Sequence, residues 1–253
     1  MSADTQQTHL PWIESHNPLP SVENAWGRDT DAPGLLAAGA DLGVDRLLEA
    51  YSKGVFPWYN PNQPVLWWSP DPRMVLQIRN FKLHRSLRKT LSRYAAQPNF
   101  ELCFDRAFDE VIEACAQSPR EGQNGTWIVP DMVKAYQALH RAGFAHSAET
   151  WLDGKLVAGL YFVCIGKAVF GESMFSTLSD GSKMALAALV HVCQQEGIQA
   201  IDCQQNTAHL ASMGAQEMTR SAFLELSVPA LTQASPDWKN AQIDWDLWRT
   251  VAP

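Results

Sequence analysis

Three polar side chains sit in runs that otherwise read as buried strand. Glu172 interrupts "AVFGESMF" (168–175), and Asp202 and Gln204 close "IQAIDCQ" (198–204). Successive strand residues point to opposite faces, so alternation places Glu172 on one side with Phe170 and Met174. A carboxylate among large apolar neighbours is costly unless a cation or several donors satisfy it. Two readings stand for Glu172. It is paired with an Arg or Lys, or it forms the floor of an apolar pocket that holds a substrate ammonium group. Asp202 and Gln204 share a face near the end of their strand. There they form part of a site, or they cap a helix beginning at Asn206 or Thr207.

Several other chemistries are excluded by spacing. "GESMF" matches a G-x-S-x-G elbow only in its first half, because Phe175 replaces the second glycine, so Ser173 is not a hydrolase nucleophile. No two of the seven histidines have H-x-x-x-H spacing. The five cysteines (Cys103, Cys115, Cys164, Cys193 and Cys203) are odd in number, scattered, and free of any C-x-x-C. They read as reduced thiols in a cytoplasmic protein, with no metal site. Cys203 is expected to point into the core, away from Asp202 and Gln204. His146 lies on the opposite strand face from Glu149, which suggests packing.

Charge narrows the partners. The chain carries −7 overall, yet residues 72–100 hold seven Lys/Arg and no Asp or Glu, so that segment is +7 and the remainder −14. Such asymmetry predicts one polyanion-binding surface on an acidic body. Within it, "KLHRSLRKTLSRY" (82–94) reads as a helix, with Leu83, Leu87 and Leu91 on one face and Arg85, Arg88, Lys89 and Arg93 mostly on the other. Before it comes "VFPWYNPNQPVLWWSPDPR" (55–73), with five prolines and three tryptophans. Proline excludes a regular central strand, leaving a rigid loop or edge structure. Its Trp58, Trp67 and Trp68 form a packed seam, or they are platforms for unpaired bases. A basic helix beside aromatics points to RNA rather than duplex DNA.

The elements that position these groups follow from periodicity and punctuation. Hydrophobic content of 46% in 253 residues suffices for one large core or two modest ones. No apolar run approaches the ~20 residues that span a bilayer. The opening "MSADTQQTH" lacks a basic-then-apolar signal, so export is not expected. Helices are predicted over 45–54, 107–117, 130–143 and 182–197, the last apolar nearly all round and hence central. Residues 145–175 read as three antiparallel strands turning at Asp153-Gly154 and Gly166-Lys167. A buried strand (198–204), a short helix (206–213) and a strand region around 215–226 follow. The predicted divisions are an irregular extension (1–33, its first ten residues mobile), an N-terminal domain with basic helix and aromatic loop (34–95), a catalytic domain (96–230) and a tail (231–253). The tail's Trp238, Trp245 and Trp248 are expected to pack back onto the body. The class is α+β with a mixed, mainly antiparallel sheet.

Eight pieces in order, "GLLAAGADL" (34–42), "AYSKGVFPWY" (50–59), "LWWSPDPR" (66–73), "GTWI" (125–128), "AHSAETW" (145–151), "GESMFS" (171–176), "SKMAL" (182–186) and "IDCQ" (201–204), resemble the leucyl/phenylalanyl-tRNA–protein transferases. The resemblance implies an N-acyltransferase-like (GNAT) second domain. It also implies transfer of Leu, Phe or, less well, Met from tRNA to proteins beginning with Arg or Lys, which marks them for the bacterial N-degron pathway. No cofactor, metal, membrane or DNA enters that reaction. By the same resemblance, Glu172 holds the donor's α-amino group, while Asp202 and Gln204 orient and help deprotonate the incoming amine. Leu160, Val169, Leu186, Leu189 and Ile201 line the side-chain pocket. Trp58 and Trp127 contact the terminal adenosine, with Tyr51 and Tyr136 nearby, and Ser182 joins the substrate-binding residues. Val169 and Leu189 are aliphatic where the family carries phenylalanine, which predicts a roomier pocket. The alternatives are an acyl-CoA N-acetyltransferase and a non-catalytic tRNA-binding protein. The first is disfavoured because "STLSDGSK" (176–183) has a single glycine, Gly181, where coenzyme A binding needs a glycine-rich turn. Joint retention of Glu172, Asp202 and Gln204 argues against the second.

Overall fold

The computed structural model of the protein describes residues 10–118 and 128–244. The expected mobility of the first residues, and the roles given to Trp127, Trp245 and Trp248, fall outside these except at residue 10.

In chain order, β1 (Trp12–Ile13), β2 (Leu35–Gly39), α1 (Val44–Ser52), β3 (Phe56–Pro57) and β4 (Leu66–Trp68) come first. β1 to β4 form a small sheet of order β1-β2-β4-β3. The proline-rich stretch thus supplies two short paired strands with a loop between them. α1 stops at Gly54, whose φ of 69° is the left-handed turn that glycine accepts readily.

β5 (Arg73–Gln77), α2 (Arg85–Ala95), β6 (Phe100–Phe104), α3 (Phe108–Gln117), α4 (Pro130–Arg141), β7 (Ala145–Leu152), β8 (Lys155–Ile165) and β9 (Ala168–Ser176) follow. Then come α5 (Gly181–Gln195), β10 (Ala200–Gln204), α6 (Ala208–Ser212), β11 (Gln216–Met218) and α7 (Arg220–Ala230). The large sheet has seven strands in the order β11-β5-β10-β9-β8-β7-β6. Within this sheet, among the described residues, only β9 and β10 pair in parallel, so it is mixed and mainly antiparallel. Among the described residues, no helix is long and apolar enough to cross a membrane.

Two sequence expectations change. Residues 55–73 read as a loop or edge structure, yet β4 is an inner strand of the small sheet, paired with both β2 and β3, because its three residues lie between the prolines; the sheets then exchange between Trp68 and Arg73, where β5 pairs with β10 and β11. The region 215–226 is a three-residue strand and then α7. Thr219 starts that helix by accepting the N–H of Ala222, a cap that outweighs the β-favouring residues around it.

The core lies on both faces of the large sheet. One side gathers Leu36, Tyr51, Trp67, Val111, Tyr136 and Phe170 from both sheets and from α1, α3 and α4, so the small sheet and the large one share a core. The other side packs Leu76, Leu87, Leu91, Leu186 and Val190 under α2 and α5. Trp238 of the tail is buried against Phe104 and Phe162, as the sequence suggests.

Candidate active site

The parallel pairing of β9 with β10 ends at Asp202 opposite Phe170. Beyond that point both strands bulge. In β9 the register against β8 passes from Gly171 to Ser173 across one residue, leaving Glu172 extra; in β10 the register against β5 likewise leaves Cys203 extra. Bulges bend a strand and re-aim its side chains. Here they bracket a cavity of about 310 Å3, walled by residues 171–174 of β9 and by Ile201, Cys203, Gln204 and Gln205. That volume suits a small organic group.

The bulge in β9 overturns simple alternation. Phe170 packs on Tyr51 in one core layer while Met174 packs toward the other, so the two do not share a face. Glu172 turns its carboxylate between Tyr51 and Tyr136. Tyr51 Oη donates to Oε1 at 2.7 Å, Tyr136 Oη to Oε2 at 3.3 Å, and Gln204 Nε2 to Oε1 at 3.1 Å. The two tyrosine oxygens also lie in hydrogen-bond contact, and since each hydroxyl has one proton, one of them donates there only in place of its bond to Glu172. Burial is the largest influence on Glu172 and pushes its carboxyl up to about 8; the Tyr51 bond opposes this, the Asp202 charge adds to it, and Tyr136 and Arg73 pull it down. Burial, followed by the Glu172 charge, holds both tyrosine hydroxyls well above their ordinary value, so they remain donors.

Leu160, Leu186, Leu189 and Ile201 line the cavity, and Trp58 stands at its edge, packed edge-on against Trp68. Val169 does not line it; it precedes the bulge and is buried in the α5-side core. Ser182, in the first turn of α5, is also outside the lining. Cys203 points away from Asp202 and packs against the α5-side core, as expected, and on that same face it also lines the cavity beside Ile201; burial pushes its thiol up to about 12. Asp202 is buried, 1% exposed, and its carboxylate faces Arg73 rather than the cavity. Met174, Phe56, Tyr161, Thr207, His209 and Leu210 complete the wall without having been foreseen. Of these, only Met174 had a sequence signal, its nearness to Glu172.

Glu149 is wholly buried and accepts from the N–H groups of Arg106 and Ala107, from Ser147 Oγ and from Trp151 Nε1. It anchors the start of α3. His146 bonds Asp105 at 2.7 Å and packs on Phe162.

The N-terminal-domain family model for leucyl/phenylalanyl-tRNA protein transferase matches residues 40–71, and the main model of the same description matches residues 75–227. The leucyl/phenylalanyl-tRNA–protein transferase of Polaromonas sp. strain JS666 is 57% identical over 236 residues, 93% of this chain and 92% of its own. The chain belongs to the leucyl/phenylalanyl-tRNA–protein transferase family. A second family member, from Albidiferax ferrireducens, is 54% identical over 98% of this chain and 96% of its own. Among solved structures, a ribosomal-protein-alanine N-acetyltransferase from Brucella melitensis matches at 14% identity and a TM-score of 0.32, over 57% of this chain and 98% of that one, a likeness too slight to bear on the fold.

In this transferase the basic helix adjoins the cavity. His84 Nε2 donates to the carbonyl of Ser212 at 2.7 Å, and Lys82 N–H to that of Met213, so α2 begins beside α6 and its cavity-lining His209 and Leu210. Arg85, Lys89 and Arg93 are exposed and Arg88 half-buried, without an ion pair among the described residues. Gly181 is explained by packing: a Cβ there would lie 2.6 Å from both Ala158 Cβ and Ser176 Oγ.

Proposed function

We propose that the chain transfers leucine, phenylalanine and, less efficiently, methionine from aminoacyl-tRNA to the α-amino group of proteins beginning with Arg or Lys. The product enters N-degron degradation in the cytoplasm. The observation that carries this reading is a carboxylate set in the wall of a cavity lined largely by aliphatic side chains. An aminoacyl group has matching parts, an apolar side chain and an α-amine. A free α-amino group titrates at about 7.7–8.0, close to the Glu172 carboxyl, so one proton can be shared between them at neutral pH.

The ester is already activated, so the chemistry needs alignment more than power. The acceptor amine attacks the ester carbonyl, the C–N bond forms, and the C–O bond to the ribose breaks. The amine's proton ends on the departing ribose oxygen, carried by the neighbouring hydroxyl of the same sugar. Glu172 fixes the donor amine, and Gln204, a poor base, positions the reacting groups. Leu160, Leu186, Leu189 and Ile201 hold the donor side chain. Trp58 stacks on the terminal adenosine, and Arg85, Arg88, Lys89 and Arg93 bind the tRNA backbone. A GNAT-like arrangement, in which two strands part at the centre of a mixed sheet, agrees with this reading.

The test is to incubate the protein with an Arg-starting peptide and either labelled leucyl-tRNA or labelled acetyl-CoA. Label from leucyl-tRNA alone is expected in acid-stable peptide. Label from acetyl-CoA alone refutes the reading.

A further inference from the structure

Arg73 lies in the acid-free basic segment, yet its side chain is fully buried. Its Nε donates to Asp202 Oδ1 at 2.8 Å, Nη2 to Oδ2 at 2.6 Å, and Nη1 to the carbonyl of Gly54 at 3.2 Å. Phe56 and Phe223 each place a ring centroid 4.8 Å from the guanidinium carbon. A buried ion pair is often no more stabilising than apolar residues of the same volume, so its presence here calls for a further role.

That role is visible two residues along. Asp202 Oδ1 also accepts the backbone N–H of Gln204 at 2.9 Å. Gln204 has a φ of 54°, a left-handed conformation that is unfavourable for a residue with a Cβ. From that conformation its amide reaches Glu172. The chain of contacts therefore runs from Arg73 through Asp202 and Gln204 to the carboxylate in the cavity wall.

We propose that Arg73 is a positioning residue for aminoacyl transfer, holding Asp202 so that Asp202 fixes Gln204 in its left-handed conformation against Glu172. The proposal rests on the transfer reading above. Both Asp202 oxygens are engaged by Arg73, and one also by Gln204, so Asp202 orients the site and does not itself take the substrate's proton.

The experiment measures kcat, KM for leucyl-tRNA and the pH profile of kcat for the wild type and three variants, with folding checked by circular dichroism and thermal melting. Arg73→Lys keeps the charge but loses the fork that grips both oxygens; kcat should fall about tenfold with KM within about twofold. Arg73→Met combined with Asp202→Leu removes both buried charges, so it should fold, yet it frees Gln204; kcat should fall about a hundredfold. Asp202→Asn keeps an acceptor for the Gln204 N–H and should retain at least about tenfold more kcat than the double variant. It should also move the Glu172 limb of the pH profile to lower pH, because the charge it deletes raises that carboxyl. A folded double variant with wild-type kcat overturns the proposal, and so does Asp202→Asn falling as far as the double variant. If the double variant does not fold, Arg73→Lys decides: unchanged kcat, or loss confined to KM, overturns it. A wild type that transfers nothing removes the transfer reading itself and this proposal with it, whereas an active wild type with insensitive variants removes this proposal alone.

Discussion

Replacing Glu172 with Gln separates the residue's chemical role from its effect on the fold. The wild-type carboxyl has an ordinary value of 4.5 and sits at about 8 in the native protein, chiefly because it is buried. Between those values the folded protein keeps a proton that the unfolded chain has released. Stability therefore falls as pH rises, by about 1.4 kcal/mol per pH unit. The contribution is fully present below 4.5 and lost by about 8, a total of roughly 5 kcal/mol at most. The amide of Glu172→Gln does not titrate. Its oxygen can accept from Tyr51 and Gln204 as the carboxylate does, and its nitrogen can donate to Tyr136. The variant should therefore fold, and its stability advantage over the wild type should grow by about 2–3 kcal/mol between pH 5 and 7. Urea unfolding of both proteins at pH 5, 6, 7 and 8 measures this difference directly. Transfer should move the other way, falling by roughly ten- to a hundredfold as a charge-assisted bond to the donor amine is lost. An α-hydroxy donor, which has no ammonium, should lose much less. Parallel stability curves would show that Glu172 is not held protonated by burial, and equal rate losses for both donors would remove its role in binding the amine.

Three further outcomes are expected. Replacing Arg85, Arg88 and Lys89 together with Ala should weaken tRNA binding whatever amino acid is attached and flatten its dependence on salt, with a log–log slope shallower by about 2–3; binding titrations at two salt concentrations test it. Leu189→Phe should fill part of the cavity and shift donor preference toward Leu over Phe by ~1–3 kcal/mol, read from competition between the two aminoacyl-tRNAs. Gly181→Ala forces a Cβ to within 2.6 Å of Ala158 and Ser176, and thermal unfolding should show a loss of ~1–3 kcal/mol.

Much of the secondary structure was legible because its causes are local. Leucines four residues apart placed α2, Pro130 and Gly143 bounded the α4 region, and Asp153-Gly154 and Gly166-Lys167 set the two hairpin turns between β7 and β9. A carboxylate in an apolar strand was likewise enough to single out Glu172, and the aliphatic residues around it mostly reach the same cavity. Strand alternation failed at Glu172 and Gln204, because a bulge depends on how neighbouring strands pair and part, and those neighbours lie far along the chain. The same distance hid Arg73. Its local sequence reads as part of a basic surface, and only the pairing of β5 with β10 brings it to Asp202, 129 residues away. The sequence alone determined which residues prefer helix or strand and which polar groups are costly to bury, since both follow from side-chain type and near neighbours. Tertiary structure decided which partner satisfies each buried polar group: Tyr51, Tyr136 and Gln204 for Glu172, and Arg73 for Asp202. Such contacts form only when distant strands come together, and no local preference records them.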